Sequence, residues 1–538
     1  MLLTQPRSQA MPQAPAAPQC FALPARLALL VLNLCLILGL AACSSLPVLE
    51  GRDTSHAISA DADTTFGRTV RGMLESHPQQ SGFKTLPDGE NAFLARLRMI
   101  AGAERSLDVQ YYIWHKDLTG NVLAGQLLAA ADRGVRVRLL LDDLDTAGKD
   151  HLLRVLDSHP NFSVRLFNPF ANRSARAEDF VADTARINRR MHNKTLTADN
   201  QVSVFGGRNI GDEYFQAGTE MGFGDMDALA VGPIVQEISA QFDLYWNSRW
   251  AYPIDAFDWP QPVTAQDLEA LRAAAARNLE QAQQSEYAGV LTQFRLAQVS
   301  SLAELDFVWS DWLLAYDQPD KVTASEVGDE THLAPKLRQG LDLTRHDLII
   351  VSPYFVPGKQ FTRYLTDMVA RGVRVRILTN SLQANDVSLV HAGYMRYRDD
   401  LVRGGVELYE FRASQERLDG GERTRIGASR SSLHAKFFVF DATYVFVGSF
   451  NLDGRSVALN TELGAYFLSP LQASAMAADF DDWALQVAYR VQLDDAGKLQ
   501  WLTRESGVER VVYKEPDTTW WKRFSTRVLS WIVPEAQL

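Results

Sequence analysis

Short apolar stretches recur along the chain, and their spacing predicts elements. Residues 107–113 read as a strand, 123–132 as a helix and 135–141 as a second strand. Residues 348–355, 361–370 and 373–378 repeat that order. Strand, helix, strand at this spacing predicts a βαβ unit with a parallel strand pair. The two units share letters: Arg133-Gly-Val-Arg-Val-Arg138 recurs as Arg371-Gly-Val-Arg-Val-Arg376. One unit used twice in an α/β chain is the predicted architecture. Residues 264–284, rich in Ala, Leu, Glu and Gln, predict an amphipathic helix packed outside, between the halves. The polar stretch 318–330 predicts a loop.

The two ends break this pattern. Residues 27–40 (LALLVLNLCLILGL) form one apolar run after Arg26. A membrane span needs about 20 such residues, so the run better fits the core of a signal peptide. Residues 44–82 are polar and predict a tether. At the other end, 520–532 places Trp, Phe, Val and Ile at helical spacing among Lys522, Arg523 and Arg527. That composition suits either a membrane interface or a helix docked on the body. The expected organisation is a signal segment 1–42, a tether 43–82, a first domain 83–255, a connector 256–332, a second domain 333–495 and an extension 496–538.

Composition narrows the function. A chain of 538 residues exceeds what one core usually supports. The net charge of −11 excludes a whole-protein basic field for nucleic acid. The three Cys, at 20, 35 and 43, cannot build a disulfide framework or a multi-Cys metal site.

The chemistry lies in a second repeat. His192-Asn-Lys194, Asp199 and Gly206-Gly-Arg-Asn209 are matched by His434-Ala-Lys436, Asp441 and Gly448-Ser-Phe-Asn451, always 242 residues on. Glu220 and Glu462 each follow eleven residues after the Asn. His and Lys two apart at a strand start share a face. The Gly-rich turn brings Asn beside them. Two copies would surround one point with two Lys and two Asn, which suits an anionic tetrahedral group such as a phosphodiester. Two His suit a displacement that needs both a nucleophile and a proton donor.

These paired motifs resemble those of the phospholipase D superfamily, and the surrounding phrases look closest to bacterial cardiolipin synthases. The resemblance covers roughly residues 83–538. It implies two duplicated α/β sandwich domains with pseudo-twofold symmetry and one shared active site. It also implies a phosphatidyltransferase acting through a covalent phosphohistidine, with a hydrolytic phospholipase D or a nuclease-type phosphodiesterase as alternatives. His192 would be the nucleophile and His434 the acid–base group. Lys194, Lys436, Asn209 and Asn451 would hold the phosphate oxygens, and Glu220 and Glu462 would orient the imidazoles. No cofactor or metal is expected. The partners would be phosphatidylglycerol, with phosphatidylethanolamine a second candidate, and the membrane surface, not nucleic acid. Leu40-Ala-Ala-Cys43 resembles a lipobox, which implies lipidation of Cys43 in the bacterial envelope. Ser44 after it suggests the outer membrane.

Other polar residues receive structural readings. Asp199 and Asp441 suit strand turns. Asp142 and Asp143 suit capping, and Asp225 and Asp227 suit a turn or strand edge rather than a metal. His115-Lys-Asp117 reads as a loop near the site mouth, and His391 as a candidate substrate contact. The Arg-x-Arg strands read as a solvated face.

Overall fold

The computed structural model describes residues 45–49, 52–217, 222–296, 302–323, 332–385, 387–413, 431–505 and 507–532. Its core is two sheets. The first contains β1 (Ser81–Leu86), β2 (Ser106–Tyr111), β3 (Arg136–Asp142), β4 (Phe162–Phe167), β5 (Thr195–Ala198), β6 (Val202–Gly206), β8 (Asp227–Val231), β9 (Ala251–Pro253) and β10 (Val308–Ser310). Their order is β10-β1-β8-β6-β5-β2-β3-β4-β9. The second contains β11 (Trp312–Tyr316), β12 (Asp347–Val351), β13 (Arg374–Asn380), β14 (Glu407–Phe411), β16 (Phe437–Phe440), β17 (Tyr444–Gly448), β18 (Leu463–Leu468), β19 (Ala488–Leu493), β20 (Leu499–Glu505) and β21 (Val508–Val512). Its order, β11-β18-β17-β16-β12-β13-β14-β19-β20-β21, repeats the first strand for strand from β1 to β9.

The expected parallel pairs are β2 with β3 and β12 with β13, joined by helices Leu118–Asp132 and Gly358–Ala370. Helices cover the outer face of each sheet. The inner faces meet in a shared core, where Phe83, Phe205 and Ala230 lie with Val439, Val447 and Phe467. Phe83 and Phe467 stack across it at 4.6 Å.

Of the repeated Arg-x-Arg pairs, Arg136 is half-buried and Arg374 exposed, but Arg138 and Arg376 are buried, contrary to the solvated reading. Arg138 meets Asp108 at 2.7 Å and Asp243 at 2.8 Å. Arg376 meets Asp347 and Asp481, each at 2.6 Å. Asp243 lies on helix Pro233–Trp246 and Asp481 on helix Pro470–Val487. Each helix returns across its strands and covers the guanidinium, which survives burial because two carboxylates meet it.

Three expected boundaries shift. The connector helix runs Ala265–Gln283 with a Thr264–Asp267 capping box, but the connector also gives β10 to the first sheet and β11 to the second. The extension adds the β20–β21 hairpin. The expected tether is docked from Arg52 onward. Arg52 donates to Ala251 O at 3.2 Å and also to the carbonyls of Asn247 and Ser248, while Asn200 and Gln201 donate to Ile58 O and Ala60 O. Helix Thr65–Leu74 follows, burying Phe66 and Val70. Composition suggested a tether because this segment binds mainly through its backbone carbonyls, which leave no apolar pattern.

Candidate active site

The strand directions bring both motif copies to one end of the molecule. β2 and β12 run toward that end, and β5 and β16 run back from it antiparallel. His192 and His434 precede β5 and β16, so both begin there. Each sits where a segment of the other half crosses. His192 N donates to Thr461 O at 2.9 Å, and Thr461 N donates back to Arg190 O at 2.9 Å. In the second copy, β7 (Gly222–Gly224) pairs in parallel with β15 (Ser431–Leu433), and His434 N donates to Gly224 O at 2.8 Å. Supports from the parallel strands complete the seats. Asp142 accepts from Met191 N at 2.8 Å, and Asn380 bonds both backbone groups of Leu433 at 2.9 Å.

This exchange gives each imidazole a carboxylate from the opposite half. His192 Nδ1 lies 2.8 Å from Glu462 Oε2, and His434 Nδ1 lies 2.6 Å from Asp225 Oδ2. With Nδ1–H held by a carboxylate, the Nε2 lone pair is left for substrate. Tyr112 packs edge-on against His192 at 5.0 Å, and Tyr214 against His434 at 5.1 Å.

Asp225 replaces the expected Glu220, which lies outside the described residues. Sheet register explains the difference. Gly206 pairs with Asp227 between β6 and β8, and Gly448 pairs with Gly464 between β17 and β18. Asp225 and Glu462 each stand two residues before that partner and are therefore equivalent. The first half has five more residues in this loop, so the constant 242-residue offset ends at the Asn. Glu220 matched Glu462 in number only. The reading of Asp225 as a turn residue is likewise replaced, because its carboxylate is spent on His434.

The same register accounts for Gly207 where the second copy has Ser449. A Cβ at Gly207 would lie 2.1 Å from Asp225 Oδ1. The shorter aspartate reaches its histidine only by coming close to the backbone, which excludes a side chain. The longer Glu462 leaves room for Ser449, whose hydroxyl donates to it along with that of Ser456.

Lys194 Nζ folds back to His192 O at 2.6 Å, and Lys436 Nζ to His434 O. Asn209 donates to the Tyr214 hydroxyl at 2.9 Å. Asn451 is buried, and its Oδ1 has no hydrogen-bond partner among the described residues. Burial and mutual repulsion set the charges. Burial, then Lys194 and Lys436, push His192 down to about 4 against the pull of Glu462. Burial, then Lys436 and Lys194, lower His434 against Asp225. Burial, then Lys436, push Lys194 down to about 7 despite Glu462. Burial raises the Glu462 carboxyl, but His192 and Lys194 outweigh it and hold it below the usual range. Two lysines and two carboxylates thus share one buried cluster, with each lysine acting on both imidazoles.

The remaining candidates lie apart. Asp199 accepts from the backbone N–H groups of Glu104, Arg105 and Ser106, and Asp441 from those of Arg345, His346 and Asp347. They tie β5 to β2 and β16 to β12 at the far end of each strand, seven residues and up to about 23 Å from the histidines at 3.3 Å per residue. His391 is fully buried on helix Ser388–Tyr394, 3.8 Å from Glu515. His115 pairs with Glu213 at 3.0 Å, while Asp117 caps helix Leu118–Asp132. Cys43 lies outside the described residues.

The family model described as "Cardiolipin synthase, PLD-like domain" matches residues 97–246 and again 337–483, one copy per half. The chain belongs to this phospholipase D-like cardiolipin synthase family. It is an enzyme of the phospholipase D superfamily. The chain is 41% identical to cardiolipin synthase C of Escherichia coli strain K12 over 86% of its own length and 97% of that protein's. It is 26% identical to cardiolipin synthase B of the same organism over 70% and 74%. The fold matches the crystal structure of phosphatidylserine synthase from Haemophilus influenzae with a TM-score of 0.53. That match has 13% identity and covers 87% of this chain and all of the other. The two family matches fall on the two sheets that exchange the histidine partners.

Proposed function

We propose that the chain is a phosphatidyltransferase that joins membrane phospholipids, forming cardiolipin from two molecules of phosphatidylglycerol. The observation that carries this reading is the exchanged pair of carboxylate-bound imidazoles with two lysines between them. His192, neutral above about pH 4, attacks phosphorus of the first phosphatidylglycerol through Nε2. The bond from phosphorus to the headgroup glycerol breaks, and that oxygen takes a proton from the His434 imidazolium. A hydroxyl of the second phosphatidylglycerol then gives its proton to His434. Its oxygen attacks phosphorus, and the P–N bond breaks. Lys194, Lys436, Asn209 and Asn451 hold the nonbridging oxygens as charge builds. Glu462 and Asp225 fix the tautomers and stabilise the imidazolium. Two lysines supply positive charge at the phosphate, so no metal is assigned. The 41% likeness to a cardiolipin synthase over nearly the whole chain supports the choice of lipid. It also supports placement at a bacterial membrane. Lipidation of Cys43 and an outer-membrane location are part of the same proposal.

The test is mass spectrometry of lipids after incubating the protein with phosphatidylglycerol in mixed micelles. Cardiolipin and free glycerol should appear, and His192→Ala and His434→Ala should each abolish both. A phosphatidyl adduct should be trapped on His192 and be absent from His192→Ala. Phosphatidic acid as the sole product would identify a hydrolase instead. Turnover by either single variant would end the two-histidine mechanism.

A further inference from the structure

The C-terminal helix Trp520–Ile532 is mounted with its polar side inward. Thr526 is buried, Arg396 donates to Ser530 O at 2.7 Å, and Lys522 reaches Gln383 at 3.3 Å. The outward stripe is Trp520, Trp521, Phe524, Arg527, Trp531 and Ile532, at the spacing of one helical face. Trp531 is 78% exposed, Ile532 70%, and Trp520 and Trp521 65% each. A helix that packs on a globular body normally does the reverse. Large aromatics beside an arginine on an outer face form an interfacial composition.

Its position is equally specific. Gln383 lies in the loop leaving the end of β13, three residues after the Asn380 that seats Leu433 beside His434. The start of the helix therefore stands at the rim of the shared site. Val387 is exposed on the same loop. The opposite rim carries its own exposed apolar residues: Leu144 follows β3, and Phe180 and Val181 lie on helix Arg176–Ala182, whose Arg176 binds Asp143 O at 2.9 Å. The N-terminal chain also arrives here. Arg52 binds the carbonyls at Asn247, Ser248 and Ala251, and Trp250 O accepts from Asn168 N at the site end of β4. Eight residues separate Arg52 from Cys43, the proposed site of lipidation. At full extension that length spans about 30 Å, so a lipid on Cys43 would enter the bilayer beside this end.

We propose that the outward stripe of this helix, with the apolar residues on both rims, is the surface that seats the enzyme on an anionic bilayer, so that the shared site faces the headgroups. The choice of bilayer rests on the phospholipid reading of the site, on the aromatic and arginine stripe, and on the docking of Arg52 at the same end, close in sequence to Cys43. Seating by two separated contacts leaves the body no freedom to turn its site away from the lipid.

The test reconstitutes the full chain into vesicles of phosphatidylglycerol and phosphatidylethanolamine whose acyl chains carry bromine, a short-range quencher of Trp fluorescence. Quenching is compared with that of a Trp520→Phe, Trp521→Phe, Trp531→Phe variant, which keeps the apolar stripe. The wild type should show a quenched component that the variant lacks, against the background of its remaining eight Trp out of 11. Identical quenched amplitude in both would overturn the proposal. A second variant, Trp520→Ser with Trp521→Ser and Phe524→Ser, should turn over vesicle phosphatidylglycerol about tenfold more slowly, because the interfacial contact is lost. It should turn over short-chain, monomerically dissolved phosphatidylglycerol at the wild-type rate. Equal loss on both substrates would also overturn it, as would a wild-type dimer that the serine variant dissolves, since the stripe would then bind a second copy. No turnover of either lipid by the wild type would count against the proposed reaction, while the quenching comparison would still decide the membrane contact.

Discussion

At the scale of single residues, the site depends on two carboxylates of different length doing equivalent work. Asp225 and Glu462 each bind a histidine of the other half, and the residue facing each carboxylate is matched to its reach: Gly207 against the aspartate, Ser449 against the glutamate. The match makes Gly207 an unusual place for a small substitution. Gly207→Ala would set a methyl group 2.1 Å from Asp225 Oδ1 and force the carboxylate off His434. Turnover is expected to fall about 100-fold or more, as when an imidazole loses its orienting partner, with KM changed far less. Ser449→Ala removes a hydroxyl that helps hold Glu462 and leaves the space unchanged, so its effect should be much smaller. Steady-state kinetics of the two variants checks the contrast.

At the scale of elements, the two halves are joined by an exchange of short segments as well as by packed sheets. Segments 222–224 and 461–462 each leave their own sheet, seat the histidine strand of the other half and deliver its carboxylate. The extension is fixed by a different device. Arg398 bonds Glu410 at 2.9 Å and Glu515 at 2.6 Å inside a buried group that includes Tyr394 and Trp501. Glu515 stands just ahead of the C-terminal helix, so this ion pair holds that helix at the site rim. Arg398→Met would leave two buried carboxylates without their cation, a change that typically costs about 3–5 kcal/mol. The urea midpoint should fall accordingly, and limited proteolysis should remove the C-terminal segment before the body is cut. His391, within 3.8 Å of Glu515, belongs to this latch and not to the site.

At the scale of the whole molecule, two lysines and two imidazoles have been brought into one buried space, where each lysine opposes protonation of both imidazoles. Burial and the neighbouring lysines hold His192 near 4 and Lys194 near 7, and lower His434. An anion between the lysines reverses the electrostatics. It favours imidazolium and ammonium, so these groups rise and take up protons near pH 7. Dimethyl phosphate, which does not itself titrate there, should bind with net proton uptake. Calorimetry in buffers of different ionisation enthalpy measures it, and uptake should shrink in His434→Gln. Much of this was legible in the chain. The βαβ units, the duplication and the motif residues His192, Lys194, Asn209, His434, Lys436 and Asn451 follow from local patterns, because apolar periodicity and a strand–turn–strand spacing are properties of neighbouring residues. The strand turns at Asp199 and Asp441 were legible for the same reason. The partner of His434 was not. Its identity depends on the register of β8 against β6, and a five-residue difference in loop length hides that register from any constant offset in numbering. The burial of Arg138 and Arg376 depends on helices more than 100 residues further along, and the docking of residues 52–60 on backbone carbonyls that have no side-chain pattern. Composition marked the C-terminal helix as amphipathic. Which face it turns outward was decided only when Ser388–Tyr394 took up its polar side, because that choice belongs to the partner surface and not to the helix.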